Sequence, residues 1–583
     1  MPRQAIALPD DDAMPEGARS YARLIRRSIW LGLVGLVGAA VFTTHLRVGH
    51  SRSDLHVSPQ ASGSKGTLCP QADVSAPTAN ETLDARRHHF LSSAYRDQAI
   101  GVLSRIVQTR AESFDDEGVL GEDERWTVFD GLHERLRAEF PAIHAPESPI
   151  ELQKINTYGL LYIWRGADQQ LKPVLLMAHQ DTVPVDDETA SSWTYPPFSG
   201  HDDGSFLWGR GACDCRSHLV SVMSAVEALV ETGHRPARTI IMAFGFDEES
   251  AGTQGAGKLA ASLEQQFGRD SMELIIDEGE GFVQHFGLDT AIVDTAEKGY
   301  ADVSIVVRTP GGHSMAPPPH TSIGMLAAAI VELEQAAIRP NATFKPSLAS
   351  GNPFLDTLRC LAEYAPTDHR HSMDDRLRRS ILDARSAKDL DALAATLPTE
   401  YKWFTTTSQA VDIIRGGIKV NALPEHASAV SNYRIAVHQS VGELRSDLAR
   451  LLRPIAQRFD LSLDAFGDVQ LAGSGGTLEL KTLAELEPAP LSPTTGETWD
   501  RLAGTIRHVW QHAGRGELYV VPSLMDGNTD TASYWNLSRS IFRFSPLKAS
   551  DCVNIHTIDE RVGTRGHIEA ILFWFELLRN FDA

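Results

Sequence analysis

Three apolar runs, residues 174–178, 239–246 and 274–276, each stop at residues able to ligate a metal: His179, the Asp247-Glu248-Glu249 triplet and Asp277. Runs that are continuously apolar, rather than alternating, mark strands covered on both faces. Residues 218–232 read as an amphipathic helix between the first two runs. Strand–helix alternation specifies an α/β domain with a mostly parallel sheet. In such sheets ligands collect beyond the carboxyl ends of the strands, which is where these polar residues fall. At 583 residues the chain is too long for a single core, so two domains are expected.

Two further motifs supply metal-binding residue types: Asp214, between Cys213 and Cys215, and His556 in Asn554-Ile-His556. Two imidazoles and several carboxylates are what a two-zinc hydrolytic site requires. His179 and Asp181 lie two apart at a strand end, so both side chains can share a face. His179 reads as the ligand and Asp181 as the group that fixes its tautomer.

Trp193-Thr-Tyr-Pro-Pro-Phe-Ser-Gly200, Glu297-Lys-Gly-Tyr300, Gly311-Gly-His-Ser314, Gly527-Asn-Thr-Asp530 and Tyr534-Trp-Asn536 complete a series running from about residue 90 to the C-terminus. Together the motifs resemble metallopeptidase family 20, the cocatalytic zinc exopeptidases and aminoacylases, and within it the carboxypeptidase S branch. The resemblance implies a zinc-exopeptidase-like catalytic domain interrupted by an inserted α+β lid or dimerisation domain. It implies two zinc ions bridged by Asp214, one also held by His179 and Asp277, the other by Glu249 and His556. Asp277-Glu-Gly-Glu280 offers several carboxylates, and the choice of Asp277 comes from the motif match. Glu248 would be the general base. His313 would support the oxyanion, in trans in dimeric relatives, while Asn421, Arg434, Thr529 and Asp530 would serve the substrate. Ala532 departs from the pattern, because relatives commonly carry Arg there to hold a substrate carboxylate; Arg216 replaces a usual Lys and Met315 a frequent Ser.

The expected activity is that of a two-zinc metallocarboxypeptidase that cleaves the C-terminal amide bond of short peptides and releases a free amino acid. The alternative is an N-acyl amino acid hydrolase or synthase, which uses the same metals and the same amide chemistry. A more remote alternative, a metal-binding homologue without catalysis, is disfavoured because all five ligands and Glu248 are present.

A formal charge of -22 argues against a nucleic-acid partner, which would need a basic face. Residues 29–44 are apolar and follow Arg23, Arg26 and Arg27. That pattern predicts a cytosolic tail over 1–28, a single-pass signal anchor over 29–46 and a stalk over 47–89. The positive charge before the anchor puts the catalytic part on the lumenal side, and the resemblance implies the vacuole. Sequons at Asn80, Asn341 and Asn536 agree with that side. The catalytic domain is expected over 90–300 and 437–583, the lid over 301–436, with possible homodimerisation through the lid. The charged stretch around 352–405 has too little periodicity to place. Cysteines 69, 213, 215, 360 and 552 show no framework spacing, and their odd number leaves at least one free thiol. Cys213 and Cys215 read as buried structural thiols.

Overall fold

The computed structural model describes residues 67–338, 344–349, 351–367 and 372–582. The expected tail, the anchor, residues 47–66 of the stalk and Asn341 lie outside these. Among the described residues no helix is long and apolar enough to cross a membrane.

Each of the three apolar runs is a strand: Val174–His179, Ile240–Gly245 and Leu274–Asp277. They are central in a sheet ordered Ile150–Ile155, Gly159–Trp164, Ile240–Gly245, Val174–His179, Leu274–Asp277, Ile541–Arg543, Leu288–Glu297, Tyr519–Met525. Pairing is parallel through the three central strands and on to Ile541–Arg543, and again between the last two strands. The first two strands close one edge in antiparallel fashion. The reason the runs are apolar throughout is visible along Val174–His179. Leu175 and Met177 pack with Leu259, Leu263 and Tyr534 on one face. Val174, Leu176 and Ala178 pack with Leu219, Val222 and Phe573 on the other. Consecutive side chains enter opposite cores, so no position faces water.

A second, six-stranded sheet runs Ser408–Gly416, His426–Ile435, Gly299–Arg308, Gly476–Leu486, Leu461–Ala465, Asp468–Leu471. Helices Ser322–Ile338 and Val441–Arg458 pack on it. This lid extends from Gly299 to Leu486, so the expected boundary at 436 falls inside it. Gly476–Leu486 pairs with Gly299–Arg308 along its length, a partnership between distant segments that local periodicity does not reveal. The edge strand Ser408–Gly416 and the turn after it leave Ile414, Ile418 and Val420 exposed.

The stretch that resisted placement forms helices Phe354–Tyr364, Asp375–Asp383 and Ala387–Thr396 and a turn of 3-10 helix, Thr399–Phe404. Its apolar residues join a core with Leu288, Ala296 and Leu524, so it covers the far edge of the catalytic sheet. The folded body also begins earlier than the expected residue 90. Cys69 is disulfide-bonded to Cys360. The Gln71 amide both donates to Val520 O and accepts from Val520 N, at 3.0 and 2.8 Å, so a side chain caps the edge strand Tyr519–Met525. Asn80 then caps helix Glu81–Phe90 by accepting from Leu83 N. Residues 67–79 have no periodicity because they are a strap.

Two buried imidazoles set an acid limit on the fold. His133 pairs with Gln180 at 2.7 Å, and burial pushes it down to about 4. His567 pairs with Ser217 at 2.9 Å, and burial pushes it down to about 3. In the unfolded chain both ionise near the ordinary 6.5. Between those limits the unfolded chain binds more protons than the folded one, so stability falls as pH drops below 6.5 and is indifferent to these groups above it. Calorimetric Tm values of a His133→Gln/His567→Asn double variant are expected to fall less steeply over that range than those of the parent; an equal slope would contradict this.

Candidate metal centre

His179 ends its strand, Glu248 and Glu249 occupy a 3-10 turn just past Ile240–Gly245, and Asp277 ends Leu274–Asp277. The adjacent glutamates do not lie on a strand, where neighbours would point to opposite faces. They instead share a turn whose N–H groups both donate to Asp181, Glu248 at 3.2 Å and Glu249 at 3.1 Å. Asp181 is fully buried and also accepts from Ser113 Oγ at 2.6 Å. Its Oδ1 lies 3.2 Å from His179 Nδ1, so the fixed carboxylate turns His179 Nε2 toward the cluster.

Asp214 places one oxygen against each imidazole: Oδ1 is 2.9 Å from His179 Nε2 and Oδ2 is 2.9 Å from His556 Nε2. Glu249 lies 3.2 Å from His556 Nε2 and Glu278 Oε1 lies 3.4 Å from His179 Nε2. His179 thus meets Asp214 and Glu278, His556 meets Asp214 and Glu249, and Asp214 is common to both; His179, Asp214 and Glu249 also lie close enough together to share one ion. The electrostatics agree. Asp214 is half-buried, and although desolvation would raise it the two imidazoles hold its carboxyl well below the usual range. The Asp214 and Glu249 carboxylates push His556 up to about 10. Burial raises Glu249, and burial together with Glu278 and Asp530 raises Glu248 against the opposing pull of His179. Negative groups this close favour positive charge between them, and an N/O donor set of this kind fits zinc.

The carboxylate that meets His179 belongs to Glu278, whereas the motif match had pointed to Asp277. Asp277 Oδ1 accepts from Glu278 N at 2.9 Å, and its Oδ2 is buried without a partner. Burial and Glu278 push Asp277 up to about 8. The Asp277 carboxylate in turn adds to burial in raising Asp530. Asp530 sits beneath the site against Gly245, where a Cβ would come within 2.3 Å of its Oδ2, so residue 245 has room only for glycine. Among the described residues no donor meets the Glu248 carboxylate, and Glu248 lines the cavity that also holds Asp214, Glu249, Glu278 and His556.

The other expected site residues are spread more widely. Thr529 is buried and donates to Glu297 at 2.6 Å. Arg434, from the lid, donates to Asn528 Oδ1 at 2.7 Å, and Asn528 donates to Lys298 O at 2.7 Å, so the lid reaches the cavity wall at Asn528. His313 is exposed on a two-stranded ribbon, Asn421 is exposed just before that ribbon's second strand, and neither is among the residues that line that cavity. Ala532 is half-buried in the turn Asp530–Ser533. Arg216 is buried with Nε and one terminal nitrogen unpartnered, and burial lowers it to about 10. Asn80 and Asn536 are exposed; Asn80 caps its helix through Oδ1, which leaves Nδ2 free for a glycan.

Two supports, the Cys213–Cys552 disulfide and Glu560, were not read from the sequence, whereas Cys215 is buried as expected. Cys213 is bonded to Cys552, not a free thiol, so the Asp214 loop is stapled to the chain four residues before His556. Cys215 is the buried free thiol; it approaches His179 and Glu278, but burial pushes its thiol well up, which keeps it protonated. Glu560 is fully buried and accepts from Gly211 N, Cys213 N, Asp214 N and Arg210. Its proximity to His556 in sequence was the available signal for Glu560.

The family model for Peptidase family M20/M25/M40 matches residues 175–580. Carboxypeptidase S of Saccharomyces cerevisiae is 37% identical over 96% of this chain and 98% of that protein. N-fatty-acyl-amino acid synthase/hydrolase PM20D1 of Mus musculus is 30% identical over 79% of this chain and 84% of its own. An M20 family metallo-carboxypeptidase from Sulfolobus solfataricus has the same fold, with a TM-score of 0.55 at 16% identity, covering 83% of this chain and 99% of that one. With its motifs in order, its sheet-end carboxylates converging on two imidazoles and a family match over most of its length, this chain belongs to peptidase family M20/M25/M40.

Proposed function

We propose that the protein is a two-metal exopeptidase that hydrolyses the C-terminal amide bond of short peptides. The observation that carries this is Asp214 with one oxygen against each imidazole. His179, Asp214 and Glu278 would hold one zinc, and His556, Asp214 and Glu249 the other, with Glu278 taking the place first given to Asp277. When bound, the ions act as Lewis acids and bring the pKa of water toward ~7. Glu248, facing the cavity with an uncommitted carboxylate, takes the proton of the attacking water and delivers it to the leaving nitrogen. Asp181 and Ser113 hold His179, and Glu560 holds the Asp214 loop, so the donors are fixed before substrate arrives. The test uses the full chain with blocked dipeptides: chelation is expected to abolish release of the terminal amino acid and zinc to restore it. Retention of full activity after verified metal removal would overturn the reading. The name of the mouse relative supports a second reading, an N-acyl amino acid hydrolase or synthase acting at the same amide.

Arg434 is the proposed partner of the substrate carboxylate, since Ala532 cannot be and Arg434 already reaches the cavity wall through Asn528. A charge-assisted hydrogen bond is worth about 1.5–3 kcal/mol. Arg434→Ala is therefore expected to lower kcat/KM for free-carboxylate substrates by about ten- to a hundredfold relative to the same substrates as amides. An unchanged ratio would remove Arg434 from this role.

The exposed edge strand with Ile414, and the turn after it with Ile418 and Val420, support a homodimer through the lid, in which His313 acts on the partner's site. A monomer in sedimentation at working concentration would exclude it. Two disulfides support an oxidising compartment. Together with the expected anchor they fit a type II membrane protein with a lumenal catalytic domain, and the vacuole is the proposed location.

A further inference from the structure

A cavity of about 610 Å³ opens between helices Glu81–Phe90, Glu497–His512 and Thr564–Phe581, apart from the metal centre. Among the described residues it shares no lining residue with the cavity that holds Asp214 and His556. Phe90, Phe282, Trp510 and Phe573 give it aromatic walls. Trp510 is 6% exposed, and its Nε1–H is buried without an acceptor. A buried donor left unmet is costly, so this wall calls for an acceptor. The rim is basic, on a chain whose formal charge is -22. Arg515 lies over the Trp510 ring, 4.4 Å from its centroid, and both Arg515 and Arg565 are held by Glu569. Arg96 is held by Asp97 and Asp202. Arg87 is the guanidinium left over: Asp84, three residues before it, is engaged by Arg579 at 2.9 Å, and among the described residues no carboxylate meets Arg87. One spare positive charge, one unmet donor and an aromatic interior fit an apolar body that bears a single carboxylate.

The wall toward the metal centre is double-sided. Phe282 and Pro546 line this cavity, while their neighbours Gly281, Val283, Ser545 and Leu547 line the metal cavity. The two segments are joined by Phe282 N donating to Leu547 O and Ser545 N donating to Glu280 O, each at 2.8 Å. They also press together: a Cβ on Gly281 would come within 2.2 Å of Leu547 O. Glu278, which faces His179, immediately precedes this partition, and Gly279 N donates to Ser545 Oγ at 3.2 Å. A close-packed partition transmits a push rather than absorbing it.

We propose that this cavity is an effector site for an apolar monocarboxylate, and that a ligand packed against Phe282 and Pro546 steadies the partition and with it Glu278. Occupancy then tightens zinc at the metal centre, and zinc tightens the ligand by the same factor. The coupling rests on the two-metal reading above; the binding does not.

The test uses the full chain and 4-phenylbutanoate as the probe, with 4-phenylbutanamide and butanoate as controls. In calorimetry the acid is expected to bind about tenfold or more tightly than the amide, and about a hundredfold or more tightly than butanoate. Arg87→Gln is expected to erase the preference for the acid over the amide while leaving basal kcat unchanged, and Arg434→Ala to leave that preference intact. Saturating acid is expected to shift the midpoint of zinc loss against a competing chelator by about five- to tenfold, and zinc loading to raise affinity for the acid by the same factor. An acid that binds no better than the amide, or whose binding is lost with Arg434→Ala and kept with Arg87→Gln, would overturn the site. Arg87-dependent binding with an unmoved zinc midpoint would overturn the effector role. Absence of any peptide hydrolysis, with the zinc shift preserved, would overturn the exopeptidase reading and support the effector site.

Discussion

Glu248→Ala is expected to keep both metal equivalents and to lose about 10²–10⁴ in kcat, the usual contribution of a general base. Its neighbour should behave in the opposite order. Glu249 is held 3.2 Å from His556 Nε2, in the position of a ligand. Glu249→Ala should lose metal first and activity as a result, and excess zinc should restore part of that activity. Excess zinc should do nothing for Glu248→Ala, whose defect is in proton transfer. The same experiment distinguishes Glu278 from Asp277. Glu278 faces His179 Nε2, whereas Asp277 Oδ1 is engaged by the backbone N–H of Glu278. Glu278→Gln should therefore weaken metal retention much more than Asp277→Asn, measured as metal content by mass spectrometry after dialysis. Metal loss confined to Asp277→Asn would restore the assignment that the motif suggested. Metal loss from Glu248→Ala with Glu249→Ala fully loaded would mean that the two glutamates exchange roles.

The parts of this site that were legible in the sequence are those written in consecutive residues. A strand covered on both faces must be apolar at every position, so 174–178 and 239–246 announced themselves, and the polar residues that end them could only lie at a sheet edge. His179, Glu248, Glu249 and Asp277 were singled out in this way, whereas Asp214 and His556 came from motifs matched to the family. What was hidden depends on register or on distant pairing. Whether Asp277 or Glu278 faces the imidazole is decided by where the strand stops, and a one-residue difference reverses the face. The lid boundary was misplaced because Gly476–Leu486 completes a sheet begun at Gly299, about which its own alternation says nothing. The strap over 67–79 resembled a stalk because its partners, Cys360 and Val520, are hundreds of residues away.

Removal of the Cys213–Cys552 disulfide is expected to damage the metal centre more than the fold around it. The bond joins segments 339 residues apart in sequence. One sulfur is adjacent to Asp214 and the other precedes His556 by four residues, so the staple holds together two donors that no shared helix or strand connects. A native disulfide typically contributes about 2–5 kcal/mol. Most of the catalytic core does not depend on this one, since helix His218–Glu231 and the central strands are packed by Leu219, Val222 and Phe573. The cost should therefore appear locally, as freedom of the His556 loop, and in metal affinity before Tm. For Cys213→Ser/Cys552→Ser the midpoint of zinc loss against a competing chelator is expected to shift by about ten- to a hundredfold, the scale on which groups supporting a ligand act. Thermal unfolding of the metal-free protein should shift less, because without metal the loop has little left to lose. Glu560 provides the comparison: it lies four residues after His556 and accepts from three backbone N–H groups of the Asp214 loop, so it ties the same two loops without a covalent bond. If the staple acts by holding the two loops together, Glu560→Gln in the disulfide-free background should add more to zinc loss than it does in the parent, where the staple still holds them. Strict additivity of the two effects, or a Tm drop with unchanged zinc affinity, would show instead that the bond merely stabilises the fold.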